Sequence, residues 1–361
     1  MRYSRHPWIR QIAVSLLFLL YLLCLIIFLS SYFPSDKYLI FSLLHLLTPV
    51  CLIFLLCSVA ALLFFKQRKF LVVPALLLAV NMGNWSALLQ ISKKTLESDQ
   101  SFKVLSYNVG FFSIPSVYSK QYFDSTSADR GTQIIDWMAT QDAPVVCLQE
   151  FFTDGESKHH NYLMKLSSAG YSTNVFALPN PKNKTLRGLI TCSKFPIVDH
   201  GKVFISDNRY NGASYTDLLI GRDTIRVVNV HLESMELYFG NKKLMSKFKH
   251  FWSHYKESMV TRTRQVKLLS DFIAKSPHPI IVAGDFNETP YSYNHKVIGE
   301  RLTNAFEYSG NGFGTTFIEG VLPIRIDHQY FSSQFECGNF EVEGVKLSNH
   351  YPILARYQLK P

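Results

Sequence analysis

Three apolar runs near the start of this 361-residue chain, Ile12 to about Phe33, Leu39 to Phe65 and Phe70 to about Ile91, constrain it more than any other feature. Each exceeds the roughly 20 residues that cross a bilayer as a helix. Each is also too long for the apolar part of a cleaved secretion signal, and no small-residue cleavage site follows the first. Asp36 is the only carboxylate in residues 1–92, which argues against a hairpin of soluble helices. The segment therefore reads as an anchor of about three transmembrane helices, with a lipid bilayer as its partner. Asn81, Gly83 and Asn84 interrupt the third run, a pattern that also suits a segment lying at the interface.

Basic residues at the span ends set orientation. Arg2, Arg5 and Arg10 precede the first run, and Lys66, Arg68 and Lys69 lie between the second and third, whereas Ser30–Lys37 holds one Lys and one Asp. The N-terminus and the second loop are thus cytoplasmic. Three crossings place the rest of the chain outside the cytoplasm, the expectation adopted here. Two would keep it inside, the direction in which Lys93 and Lys94 pull. Nine Lys/Arg against three acids give residues 1–100 a charge of +6 out of the total +10, so the basic balance is no argument for nucleic-acid binding. Cys24, Cys51 and Cys57 lie in apolar stretches, and Cys147, Cys192 and Cys337 are widely spaced. Neither a thiolate metal site nor a disulfide framework follows from them.

Residues 93–101 (polar, turn-prone) read as a linker, and 102–361 as one large domain. Strand-like runs recur at Lys103–Tyr107, Val145–Leu148, Leu189–Cys192, Thr224–Val230, Pro279–Ala283, Ile326–Phe331 and Pro352–Tyr357. Several are nearly continuous in apolar residues, as in strands covered on both faces. Helix-like patterns at Thr132–Ala139 and Thr261–Ala274 alternate with them, which gives an α/β fold.

Polar residues close these runs: Asn108, Glu150, His231, Asp285 with Asn287, Asp327, and the pair Asn349-His350 before the last strand. Strand ends converge in layered α/β folds, and sites favour them. Asn108 alone is as easily a cap, but six such positions are harder to dismiss. Oxygen-rich and free of thiolates, the set suits Mg²⁺ or Mn²⁺. A carboxylate-held cation, a His oriented by an Asp and neutral amide donors are what phosphoester hydrolysis requires.

The order SYN, QE, NVHLES, AGDFNETP, RID and SNHYP, with secondary matches at Gly188–Ile197 and Gly312–Phe317, resembles the endonuclease/exonuclease/phosphatase (DNase I-like) superfamily from about Phe102 to Tyr357. The resemblance implies two packed mixed β-sheets flanked by helices, a four-layer α/β sandwich, here of a membrane-anchored bacterial type in the inner (plasma) membrane. It implies Glu150 as the main metal ligand, with Asn108 beside it holding metal-bound water or phosphate. His350 is the implied catalytic imidazole and Asp327 its orienting carboxylate. Asp285 and Asn287 position the attacking water, and His231 contacts phosphate oxygens. Asn349 stands where the family usually has Asp; it keeps an oxygen ligand but loses a charge, which points to one metal ion rather than two. His328, after Asp327, reads as a partly buried strand histidine.

The segment Met235–Lys267 carries eight Lys/Arg, Arg262 among them, with Phe248, Phe251, Trp252 and Tyr255 interleaved. It suits an anionic membrane or a nucleic-acid backbone, and equally a solvated helix whose aromatics pack inward. Three functions follow: a membrane-tethered, nuclease-like phosphodiester hydrolase; a lipid- or inositol-phosphate-directed (sphingomyelinase-like) phosphoesterase acting on headgroups; and a catalytically silent membrane scaffold.

Overall fold

The computed structural model describes residues 7–91, 94–113, 130–179, 185–206, 210–234, 244–317 and 324–361. The chain divides into two compact units, one formed by residues up to Leu88 with Pro290–Lys296, the other by Leu89–Thr289 and Val297–Pro361.

In the first unit, α1 (Pro7–Ser30), α2 (Leu39–Leu44) and α3 (Thr48–Phe64) are followed by α4 (Val72–Val80) and α5 (Met82–Leu88). Two stretches, Gln11–Ser30 and Leu39–Phe64, are long and apolar enough to cross a membrane. The second includes a short 3-10 turn at His45–Leu47. Tyr21, Ile27, Leu52 and Leu55 form the unit's core, while Leu16, Leu19, Ile53 and Leu56 stay exposed. The third run differs from a plain span: Arg68–Val80 and Met82–Leu88 meet at 62°. Asn81 lies at the break, its side-chain amide donating to the Leu77 carbonyl, and the residue that splits the run in sequence ends the helix in space.

The second unit holds twelve strands among its described residues. The first half of the chain order is β1 (Phe102–Asn108), α6 (Arg130–Thr140), β2 (Val145–Asp154), α7 (Tyr162–Ser168), β3 (Ser172–Pro179), β4 (Thr185–Ser193), β5 (Ile197–Ile205) and β6 (Gly212–Ile220). Then follow β7 (Asp223–His231), α8 (Leu244–Ala274), β8 (Ile280–Asp285), α9 (Tyr293–Gly299), β9 (Thr303–Asn304), α10 (Ala305–Ser309), β10 (Asp327–Phe331), β11 (Phe335–Val342) and β12 (Ile353–Leu359). They form two six-stranded mixed sheets, ordered β11-β12-β1-β2-β4-β3 and β5-β6-β7-β8-β10-β9. Each is antiparallel apart from one central parallel pair, β1–β2 and β7–β8.

Val104, Cys147, Val227, Ile281, Ala283 and Ile353 fill the space between the sheets. Ile134, Met138 and Leu166 of α6 and α7 cover the outer face of the first sheet. Val266, Leu269 and Ile273 of α8 cover that of the second. The outcome is the expected four-layer α/β sandwich, with near-continuous apolar strands because both faces are covered. Buried amides also pin sheet to sheet: Asn229 donates to the carbonyls of Leu148 and Ile190, and Gln329 to those of Val104 and Ile353. Residues 94–101, read as a linker, lie along the second unit: Leu96 N–H donates to Asn339 Oδ1 at 2.7 Å, opposite Gly338, where a Cβ would collide with Leu96.

Candidate active site

Both parallel pairs end at the same edge of the sandwich, which gathers the polar strand ends. Asn108 ends β1, and His231 and Asp285 end β7 and β8 as direct register partners. Asp285 is also the register partner of Asp327 at the start of β10, so His231, Asp285 and Asp327 form one row across three strands. Gly284 makes this row possible: with φ 156°, it has a position where a Cβ would lie 1.9 Å from the Val230 carbonyl oxygen. Glu150 departs from the expected strand end. It lies inside β2, with φ 48°, where the pairing of β2 with β4 shifts register between Leu148 and Phe151. A bulge re-aims a side chain that regular pleating would direct elsewhere. Asn287 also has positive φ, at 50°, a conformation that Asn tolerates better than most residues.

Asp285 is the hub of the contacts. Its Oδ2 accepts from Asn108 Nδ2 at 3.0 Å, and its Oδ1 from Asn287 N–H at 2.8 Å. The Nε2 atoms of His231 and His350 lie 3.7 and 3.8 Å from Oδ2. Asn108 Nδ2 also reaches Glu150 Oε1 at 3.2 Å, and His231 Nε2 lies 3.8 Å from that oxygen. Asn108 Oδ1 accepts from Gly110 N–H at 3.0 Å. Asn108 thus turns its NH₂ to the carboxylates, bracing them as a donor rather than offering them its oxygen. Asn287 Nδ2 donates to the Leu232 carbonyl. Asn349 is half-buried, its Oδ1 accepting from the Ser348 hydroxyl at 3.2 Å.

His350 and Asp327 are 2.8 Å apart, Nδ1 to Oδ2. Burial alone would lower the His350 pKa. The charges of Asp327 and Asp285, the Asp327 hydrogen bond and the charge of Glu150 outweigh it and raise the group to about 9. Burial also raises Asp327, against the pull of His350. The Asp327–His350 pair therefore retains its proton at neutral pH. Thr316, within a stretch noted only as a secondary match, accepts from the N–H groups of Ile326 and Asp327 through its hydroxyl, and the Phe317 ring lies edge-on to His350 at 5.0 Å.

Asp285, Asp327 and His350 bring ligand atoms within 4.8 Å of one another. Since Asp327 and His350 already satisfy each other, a hard cation is better matched by Asp285 with Glu150, whose side chain is 19% exposed and faces the same amide. Three carboxylates against two imidazoles leave the site short of positive charge, as an oxygen-ligated divalent ion requires.

The Endonuclease/Exonuclease/phosphatase family model matches residues 105–350. The chain belongs to this family. An endonuclease/exonuclease/phosphatase family protein from Bacteroides thetaiotaomicron superposes with a TM-score of 0.53 at 18% identity, covering 73% of this chain and 100% of that one. D. rerio TDP2, humanized by 14 mutations, gives 0.53 at 14% identity over 72% of this chain and 100% of its own. Truncated Caenorhabditis elegans TDP2 gives 0.51 at 19% identity over 72% and 98%. At such identities the likeness is one of fold. No curated protein matches the chain.

One expectation for the basic segment changes with the structure. Arg262, counted with a surface basic patch, is 1% exposed, and Tyr255 is equally buried. Both lie on the inward stripe of α8 with Met259, Val266, Leu269 and Ile273, a three-and-four spacing that was visible in the sequence. Of the remaining segment, 235–243 lies outside the described residues. His328 is buried, with Nε2 2.9 Å from the Glu288 carbonyl and Nδ1 3.5 Å from the Asn304 amide, a strand histidine with structural partners.

Proposed function

We propose that this chain is a membrane-anchored, divalent-metal-dependent phosphodiester hydrolase. The observation that carries the reading is the convergence on Asp285 of Asn108, His231 and His350 from both sheets. Glu150 and Asp285 would hold one Mg²⁺ or Mn²⁺, which when bound supplies charge neutralisation at phosphate oxygens and an acidified water. With Asn in place of a further carboxylate at 349, one ion suffices for the donors present.

The chain's own groups cover the remaining chemistry. Protonated His350, fixed through Nδ1 by Asp327, presents Nε2–H to a nonbridging phosphate oxygen and stabilises the charge that develops there. Asp285, oriented by the Asn287 N–H, accepts the proton of the attacking water. His231, whose two ring nitrogens have no hydrogen-bond partner among the described residues, provides a second donor to the phosphate. Asn287, through its N–H, and Asn108, through its side-chain amide, hold the carboxylates.

A nucleic-acid diester is the first substrate class. The two long apolar helices favour a second, the phosphodiester of a lipid headgroup, because a bilayer anchor holds an enzyme near it. The test is the full chain in detergent micelles with Mg²⁺, assayed against plasmid DNA, RNA, sphingomyelin and inositol phosphates in parallel. Hydrolysis that disappears with EDTA and in Glu150→Ala supports the reading. Equal turnover by wild type and Glu150→Ala overturns it, and no hydrolysis of any substrate favours the silent scaffold.

A further inference from the structure

His350 and His231 are held differently. The first is fixed by a carboxylate 2.8 Å from its ring. The second has no ring hydrogen bond to any described residue, so the backbone that carries it determines where it points. That backbone is the last residue of β7, which leads into the turn beginning at Leu232, and beside this turn runs the turn after β8 that carries Asn287. The two turns are stitched together, Leu232 N–H donating to the Asp285 carbonyl at 2.9 Å and Asn287 Nδ2 to the Leu232 carbonyl at 3.0 Å.

Arg262 of α8 holds both turns from behind. Its Nε donates to the Glu233 carbonyl at 2.7 Å, two residues after His231, and its Nη1 meets Glu288 Oε1 at 3.2 Å, one residue after Asn287. One helical turn further along, Gln265 Oε1 accepts from Glu233 N–H at 2.9 Å, and one turn back the Ser258 hydroxyl donates to the Ser234 carbonyl at 3.0 Å. The Glu288 carbonyl in turn meets the ring of His328 at 2.9 Å, next to Asp327. Both partners of the Arg262–Glu288 pair are nearly fully buried. A buried ion pair is weak evidence for stability, because well-packed apolar residues of similar volume often replace it at no loss. What an apolar pair lacks is a donor that fixes the Glu233 carbonyl and a charge that fixes Glu288.

We infer that Arg262 is a positioning residue, a buried guanidinium on α8 that fixes the turn directly after His231 and the turn carrying Asn287, and so sets the second imidazole against the substrate phosphate. This rests on the phosphodiesterase reading above. It also gives α8 a role besides covering the sheet: the helix whose N-terminal end carries the basic segment grips two turns of the site.

The experiment compares the full chain in detergent micelles with Arg262→Lys, with Arg262→Met and with the volume-matched double variant Arg262→Met/Glu288→Leu, using bis(p-nitrophenyl) phosphate and Mg²⁺ as probes. The double variant is expected to regain the wild-type melting temperature but to lose roughly 100-fold in kcat, as small displacements of catalytic groups do, with KM changing little. Arg262→Lys, which keeps the charge without the two-pronged reach, is expected to remain folded and to recover only part of the rate. Wild-type kcat in the double variant would overturn the inference. Should wild type itself not turn over, the phosphodiesterase reading fails on its own, and the imidazole ¹⁵N resonances of His231 then decide. Different resonances in wild type and the double variant support the clamp; identical ones overturn it.

Discussion

Asn108 Nδ2 lies 3.0 Å from Asp285 Oδ2, and this contact joins the two sheets at the edge where the polar strand ends gather. The same nitrogen reaches Glu150 on its own sheet, so one neutral donor separates two carboxylates. Asn108→Asp removes that donor and adds a third negative charge at a position 1% exposed. We predict that the variant loses about 1–3 kcal/mol of stability in EDTA, the usual cost of leaving buried acceptors without a partner, and that Mg²⁺ restores most of it. Thermal melts of wild type and variant, with EDTA and with Mg²⁺, check this. A variant that melts like wild type in EDTA would show that the carboxylates do not depend on Asn108.

The His350–Asp327 pair sets a pH dependence in the metal-free protein. His350 is raised in the fold from an ordinary 6.5 to about 9, against the effect of burial and through Asp327 first. A group with a raised folded pKa contributes stability that is present below its unfolded pKa and is lost as pH rises through the folded one. The window is therefore pH 6.5 to about 9. Asp327, raised by burial, works in the same sense from its own ordinary 3.8 upward, and the His350 shift alone is worth on the order of 3 kcal/mol between the two ends of the window. Denaturant titrations in EDTA at pH 6.5 and 9.5 should show this loss in wild type and a flatter profile in His350→Gln. A wild type that gains stability over the same range contradicts the assignment.

The site was legible because its polar groups close apolar runs, and an Asp or His with no reason to sit beside IIVAG or RVVNV stands out. The strand edges were not. β5 is mostly exposed along Val198–His200 and Lys202, β11 alternates polar and buried residues, and the sequence shows no long apolar run in either. The bulge at Glu150 left no mark either, since the register of β2 depends on β4, and QE followed by FF reads as a strand that simply stops. Arg262 is hidden for a different reason: charge along the segment groups it with the lysines, and only its place three residues after Met259 and four before Val266, on the inward stripe of α8, marks it as buried.

Gly284→Ala tests the register row. Its Cβ would lie 1.9 Å from the Val230 carbonyl oxygen, and the φ of 156° is one that L side chains rarely adopt. β8 would have to leave β7 just where His231 and Asp285 pair. The expected loss is at least about 2 kcal/mol, together with a rate defect far larger than that of a destabilised variant distant from the site. Ala at Gly155, where a Cβ meets nothing within 4 Å, should change neither melting temperature nor turnover and serves as the control.

The bend in the third apolar run bears on the side on which the second unit lies. Arg68–Val80 and Met82–Leu88, joined at 62°, reach about 26 Å end to end at 1.5 Å per residue, short of the roughly 30 Å hydrocarbon layer. Gln11–Ser30 and Leu39–Phe64 are each long enough alone. We therefore predict two crossings with a re-entrant third segment, which puts the phosphoesterase unit on the cytoplasmic side with Lys66, Arg68 and Lys69 and reverses the orientation expected from three crossings. Single cysteines at Lys37, in the first loop, and at Glu156, in an exposed turn of the second unit, would be probed in intact cells with a membrane-impermeant maleimide. Lys37→Cys should label without permeabilisation, and Glu156→Cys only after it. Labelling of Glu156→Cys in intact cells would mean that the bent segment crosses after all.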